Sequence, residues 1–168
     1  MRYRIKGLDQ YIKALENLSD HYNVMASLEN AVTDGSLVVR KVTVEEIQKL
    51  PTDDRPQRVD KRNGIRTIEK RFLLRTFGVS PSDVTINDVD RKTGVNLGTL
   101  NYSKSKKYLP AVTLARRLEN GTSYMNKNPV FSRSARKARK DCVNAMQESL
   151  NRDVEQAMNF RKIQRSKD

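Results

Sequence analysis

ARRLENGTSYMNKNPVFSRSARKARKDCVNAMQESLNRDVEQAMNF, residues 115–160, is the stretch on which the fold turns. It opens with a short apolar-and-basic element, turns at Gly121-Thr122, crosses a polar loop and enters the longest helical pattern of the chain. After Ser132, apolar or small residues fall at Ala135, Ala138, Cys142, Ala145, Met146, Leu150, Val154, Ala157 and Met158. Steps of three and four put them on one face of an α-helix. Pro129 supplies a rigid turn and Ser132 a capping hydroxyl, so a helix is predicted from Ser132 to Arg161. At 1.5 Å per residue it would be about 45 Å long. A helix of that length has to pack along the body or project into a partner.

The N-terminal part carries a second amphipathic pattern. Leu8, Tyr11, Ile12, Leu15, Leu18, Tyr22, Met25, Leu28 and Val32 step along one helical face, with Asp9, Lys13, Glu16, Asp20 and Glu29 off it. The alternation in Met1 to Lys6 suggests a short leading strand. Thr33-Asp34-Gly35-Ser36 interrupts the pattern; the helix either ends there or carries the glycine at a cost of about 1 kcal/mol. A further helical run covers Leu37 to Leu50, with Thr43 to Glu46 as a capping box if a helix starts afresh. Its valines at 38, 39, 42 and 44 keep a strand open as the alternative before Thr43.

Residues 51–64 form the clearest loop, long enough to imply function or a lack of fixed structure. Ile65, Ile68, Phe72, Leu73 and Phe77 read as a short amphipathic helix, stopped by Gly78 and Pro81. Val84-Thr85-Ile86 and Val95-Asn96-Leu97 read as strands joined by a turn at Asp90 to Gly94, with Leu100 and Tyr102 extending the second. Tyr108 to Leu118 fits either a short helix or a strand. The whole reads as an α+β fold: a small antiparallel sheet packed by a long N-terminal helix and a long C-terminal amphipathic helix, in a single domain over 1–168.

Composition narrows the function. The chain has 168 residues, 36% hydrophobic and 32% charged, with no tryptophan; its mean hydropathy is −0.76. Such a chain has a thin core and much solvated surface, or completes its packing against neighbours. A net charge of +13 favours an acidic partner: nucleic acid, an acidic protein face or an anionic membrane. One cysteine excludes an intramolecular disulfide and fits a reducing compartment. No apolar run approaches the roughly 20 residues of a membrane span, and no signal-peptide pattern opens the chain, so the expectation is a soluble intracellular protein or a particle component, with no membrane partner.

The chemistry is mostly negative. His21 stands alone, and Cys142 lies on the apolar stripe, where a buried inert thiol is expected rather than a nucleophile. Asp53-Asp54 and Asp88/Asp90 are paired acids, read as turn residues ahead of a metal site, which wants more converging oxygens. No phosphate-cradling glycine spacing occurs. No catalytic residue, metal ligand or cofactor is therefore expected.

The basic segments are the informative ones. Seven basic residues (Arg91, Lys92, Lys104, Lys106, Lys107, Arg116 and Arg117) precede the next acid, Glu119. Lys104, Lys106, Lys107, Arg116 and Arg117 are candidates for contact with DNA or an acidic partner; Tyr102 and Tyr108 flank the lysine run. Arg133, Arg136, Lys137, Arg139 and Lys140 crowd the start of the last helix, where the macrodipole disfavours cations. A phosphate or carboxylate partner would offset that cost; the plain alternative is a solvated face.

One pattern resembles a known family. Ala115, Leu118, Glu119, Gly121 and Thr122, then Pro129 and Phe131 and a long terminal helix, resemble the tail-completion proteins of long-tailed bacteriophages, the family of the lambda-type minor tail protein Z. Ile5 to Asp20 is similar to that family's opening. Asn120 departs from it, standing where an aromatic residue is usual. The resemblance implies a structural virion protein of the tail or neck, assembled in the host cytoplasm. It would close into a homo-oligomeric ring, a hexamer, that completes the tail and joins it to the DNA-filled head. Its partners would be other neck and tail proteins: a head-completion or stopper protein, and a tail terminator or tail tube. Packaged DNA would pass nearby. Glu119, Gly121 and Thr122 would shape the turn presenting the last helix, and with Arg133, Arg136, Lys137, Arg139 and Lys140 would form a subunit or partner interface. Gly121 also has a purely local reading, a turn that needs positive φ. Two other classes stay open: a cytoplasmic basic nucleic-acid-binding protein, and a metal-dependent enzyme such as a nuclease.

Overall fold

The computed structural model describes residues 24–55, 61–80, 83–85, 88–90, 92–95, 99–101 and 108–165. The leading strand expected at Met1 to Lys6, the first helical pattern up to residue 23, His21, and the Lys104–Lys107 run lie outside them. The fold is α+β. Helix α1 spans Val24–Gln48, α2 Thr67–Thr76, α3 Ala111–Asn120 and α4 Val130–Arg165. The short strands are β1 Phe77–Val79, β2 Asp83–Thr85, β3 Asp88–Asp90, β4 Thr93–Val95, β5 Thr99–Asn101 and β6 Tyr108–Pro110. They pair as three antiparallel two-stranded ladders, β1–β4, β2–β3 and β5–β6.

Contacts divide the chain into two compact units. One comprises residues 1–38, 81–92 and 140–168. Its described part holds the N-terminal portion of α1, the β2–β3 ladder and most of α4. Here α1 runs unbroken through Thr33-Asp34-Gly35-Ser36, so the glycine is carried inside the helix. A Cβ on Gly35 would fall 2.4 Å from Met146 Cε, 2.7 Å from Met146 Cγ and 3.1 Å from Cys142 Sγ. Glycine stands there because the facing helix leaves no room for a side chain. Leu28, Ala31, Val32, Ser36, Cys142, Met146, Ser149 and Leu150 are buried in this unit. Desolvation raises the Cys142 thiol pKa, in keeping with an inert core residue. At the surface Arg152 reaches Asp34 at 3.2 Å.

The other unit comprises residues 39–80 and 93–139. Its core gathers Ile47, Leu50, Ile65, Leu73, Phe77, Leu100, Leu109, Leu114, Leu118, Met125 and Val130. Thr43 to Glu46 is not a capping box. Both residues lie in the C-terminal part of α1, far from its start, and the Thr43 hydroxyl donates to Val39 O at 2.8 Å. The strand alternative for the valines also fails: Val39 is 2% exposed on the helix face that packs, and burial overrides β-propensity.

The arms of the 51–64 loop are tied together: Asp53 N–H donates to Ile65 O at 2.9 Å and Ile65 N–H to Pro51 O at 3.0 Å. Gly64 lies so close to Pro51 that a Cβ would meet its carbonyl oxygen at 2.3 Å. α2 follows and passes directly into β1 at Phe77. The expected hairpin between the 84–86 and 95–97 strands is corrected. β2 pairs with β3, placing Val84 opposite Val89, and β4 pairs with β1, placing Val95 opposite Phe77. The β1–β4 ladder thereby gains an apolar cross-strand pair, Phe77 with Val95; the residues expected as a turn, Asp90 to Gly94, include the end of β3 and the start of β4. Tyr108 to Leu118 takes both of its readings in succession: Tyr108–Pro110 is strand and Ala111 begins α3, with Pro110 extended at φ −61°, ψ 142° as its N-cap.

Candidate functional site

Two arrangements, both in the unit of residues 39–80 and 93–139, bring together Glu119, Gly121 and Thr122 in one case and Arg133 and Lys137 in the other. The first joins α3 to α4. Gly121 ends α3 at φ +77°, its N–H donating to Arg117 O at 2.8 Å. A Cβ there would also meet Lys127 N at 3.0 Å and Lys127 Cα at 3.2 Å, so both conformation and space select glycine. Thr122 closes a small loop: its N–H donates to Met125 O at 2.9 Å, and its hydroxyl accepts from Tyr124 N–H at 3.2 Å.

Glu119, in the last turn of α3, reaches across to the start of α4. Its carboxylate accepts the Phe131 N–H at 3.1 Å, the Ser132 N–H at 2.9 Å, and the Ser132 hydroxyl. The first N–H groups of a helix have no intrahelical partner, and a carboxylate there also meets the positive end of the dipole. The expected helix start is thus corrected. α4 begins at Val130, and its cap is Glu119 from the preceding helix; Ser132 donates to that carboxylate instead of capping. Phe131 stacks on Phe77, centroids 5.8 Å apart. Beside this joint a shallow groove is lined by Val95, Val112, Ala115, Arg116, Glu119 and Phe131.

The second arrangement centres on Glu46, which the sequence offered as part of a capping box if a helix started afresh at Thr43. Glu46 is 8% exposed and gathers three cations: Lys137 Nζ at 3.1 Å, Arg133 Nε at 3.2 Å and Lys49 Nζ at 3.3 Å. The hydrogen bond from Lys137 is the chief cause that holds its carboxyl below the ordinary glutamate value of 4.5, against the opposing effect of burial, with Lys49 adding to the lowering. The signal for this residue was present: Val39, Thr43, Glu46, Ile47 and Leu50 share a buried stripe. An acid on such a stripe in a basic chain requires cationic partners.

The remaining candidates are dispersed. Arg136 is exposed and its Nε donates to Ser132 O at 3.4 Å. Arg139 and Lys140 are exposed on α4, the latter in the other unit. Arg116 and Arg117 are exposed on α3. Lys104, Lys106 and Lys107 fall outside the described residues.

The loop acids are engaged locally. Asp53 pairs with Arg55 at 2.7 Å, a contact that holds its carboxyl well below the usual range. Asp54 accepts the Thr67 hydroxyl at 2.6 Å and the Thr67 N–H at 2.9 Å, which lower its pKa and cap α2. Among the described residues no three His, Cys, Asp or Glu side chains gather in a way that could hold a metal ion. Nor is any described helix long and apolar enough to cross a membrane.

The chain matches no protein-family model, no curated protein and no solved structure. Any functional reading therefore rests on its own residues. Those at the α3–α4 joint cap, turn and stack. Those around Glu46 form a charge cluster with more positive than negative members.

Proposed function

We propose that this chain is a structural subunit of the head–tail junction of a long-tailed bacteriophage, one that closes into a ring and completes the tail before it joins the head. The observation that carries this reading is the clamp of Glu119 on the first turn of α4. The residues on which the family resemblance rests cooperate there in one mechanical task. Glu119 holds the helix start, Gly121 makes the turn, and Phe131 packs on Phe77. Chemistry of that kind sets the position of a helix and transforms no substrate, as a subunit that works by assembling requires. In the particle the subunit would contact other neck and tail proteins, with packaged DNA passing close by.

The exposed cations on α3 and α4 support a second reading, a basic nucleic-acid-binding protein. Native mass spectrometry of the purified chain separates the two. A discrete closed oligomer, six copies by the family resemblance, is the expected result for the junction subunit. A monomer that takes up duplex DNA stoichiometrically, and never closes, would transfer the assignment to the second reading.

A further inference from the structure

Among the described residues, the Glu46 cluster is unbalanced in charge. One carboxylate faces three cations, and the side chains of Lys49, Arg133 and Lys137 remain 64%, 50% and 55% exposed. In α4, no acid occurs between Val130 and Lys140. The orphan amides of its first turn are already taken by Glu119, so the helix start offers no anion site of its own. Arg133 and Lys137 are one helical turn apart, about 6 Å between their Cβ atoms, and Arg136, three residues from Arg133, extends the cationic surface.

We propose that this surface, formed by Lys49 just past the end of α1 with Arg133, Arg136 and Lys137 on α4, binds the phosphate backbone of duplex DNA without reading its sequence. The composition of the α4 segment favours a phosphate backbone over an acidic protein. From Val130 to Arg139 its exposed residues are Ser132, Arg133, Arg136, Lys137 and Arg139, with no exposed apolar side chain among them. Protein interfaces draw their affinity from buried aromatic or aliphatic anchors. Backbone contacts to DNA need only cations at suitable spacing, and counterion release supplies the free energy.

Glu46 has a definite role in this scheme. It holds Lys49, Arg133 and Lys137 together in the free protein and competes with phosphate for them. Binding replaces part of the carboxylate's contacts by phosphate contacts. The surface is independent of the ring reading: a chain could close into a ring without binding duplex, or bind duplex as a monomer.

The test is fluorescence anisotropy of a short labelled duplex with the full chain, titrated across a salt series. The wild type is expected to bind with log K falling linearly against log salt, by about 0.9 for each phosphate neutralised. Lys49→Gln, Arg133→Gln and Lys137→Gln should each flatten that slope by about 1, uniformly across DNA sequences. Glu46→Gln should tighten binding several-fold, since the competing charge is gone. Circular dichroism checks that each variant is folded, and Lys49→Gln, which alters an exposed side chain, keeps the test open if the buried Glu46 variant is not. No duplex binding by the folded wild type would overturn the proposal, as would unchanged slopes in the folded lysine and arginine variants. Capture of an acidic polypeptide in preference to duplex would also overturn it, assigning the surface to a protein partner. Native mass spectrometry of the same samples reads ring closure separately, so failure of one proposal leaves the other measurable.

Discussion

Gly35 shows how much one missing methyl group decides. Inside a helix, Gly→Ala ordinarily stabilises by about 1 kcal/mol. Here the added Cβ would overlap Met146 at both Cγ and Cε and press on Cys142 Sγ. The Met146 methyl can swing away, but its Cγ is held close to the backbone. Gly35→Ala is therefore expected to destabilise by about 1–2 kcal/mol net of the helix gain, measured by urea unfolding. Met146→Ala in the same chain should recover part of that loss, giving a favourable coupling in a double-mutant cycle. Additive effects would show that the close approach is not what excludes a side chain. Glu119 poses a different question, because its carboxylate serves residues twelve and thirteen positions further on. Glu119→Ala should cost about 1–2 kcal/mol, as loss of a helix cap does. Hydrogen exchange should accelerate first at the Phe131 and Ser132 amides. Unchanged exchange there would remove the cap from the account of the joint.

At the scale of elements, periodicity read the helices well and partner choice poorly. α4 was legible because its stripe keeps a helical period through many turns, and α2 because five apolar residues and a stopping Gly-Pro pair bracket it. α1 was legible only in part: its stripe up to Val32 read as helix, but an end at Gly35 and a strand for the valines stayed open, because the role of Gly35 depends on Met146, more than a hundred positions away. Strand pairing was misread because three-residue strands carry too little pattern to choose between neighbours; in three dimensions β4 lies against β1, with Phe77 opposite Val95, and β2 against β3. The cap of α4 was misread for a related reason. Local rules look for a hydroxyl or carboxylate beside the helix start, and the group used comes from the preceding helix.

The Glu46 cluster likewise joins α1 to the start of α4, and its pH dependence tests the link. The folded carboxyl titrates below its ordinary value of 4.5. The folded state therefore binds the proton less readily than the unfolded chain. Its stabilising contribution is complete above 4.5 and is lost as pH falls through the lowered folded value. Thermal melts from neutral pH downward should show a stability loss beginning below about 4.5 that is smaller in Glu46→Gln, whose side chain has no such proton to take up. Parallel profiles for the two chains would mean that the ion pairs add nothing to folding.

For the whole molecule, the decisive fact is that both long helices supply buried residues to both units. α1 gives Leu28, Ala31 and Val32 to one and Ile47 to the other; α4 gives Cys142, Met146 and Leu150 to one and Val130 and Ala138 to the other. Folded domains hold only about 5–15 kcal/mol in reserve, so stripping one buried face from both units removes a large share of it. Truncation after Arg133 removes Ser134, Ala138, Cys142, Met146, Ser149 and Leu150 from their buried places and takes Lys137 from Glu46. It also uncovers the face of α1 around Gly35 on which Met146 and Cys142 lie. We expect the truncated chain to lose cooperative thermal unfolding, to aggregate through that apolar face, and to form no closed oligomer. The measurement is a calorimetric melt paired with size-exclusion chromatography. The Glu119 clamp on Phe131 and Ser132 survives the cut on paper, since all three residues remain. A truncated chain that still melted cooperatively would show that the unit of residues 39–80 and 93–139 needs only the first turn of α4. The long remainder would then serve partners and not the fold, and the requirement for ring closure would have to be sought in that exposed segment.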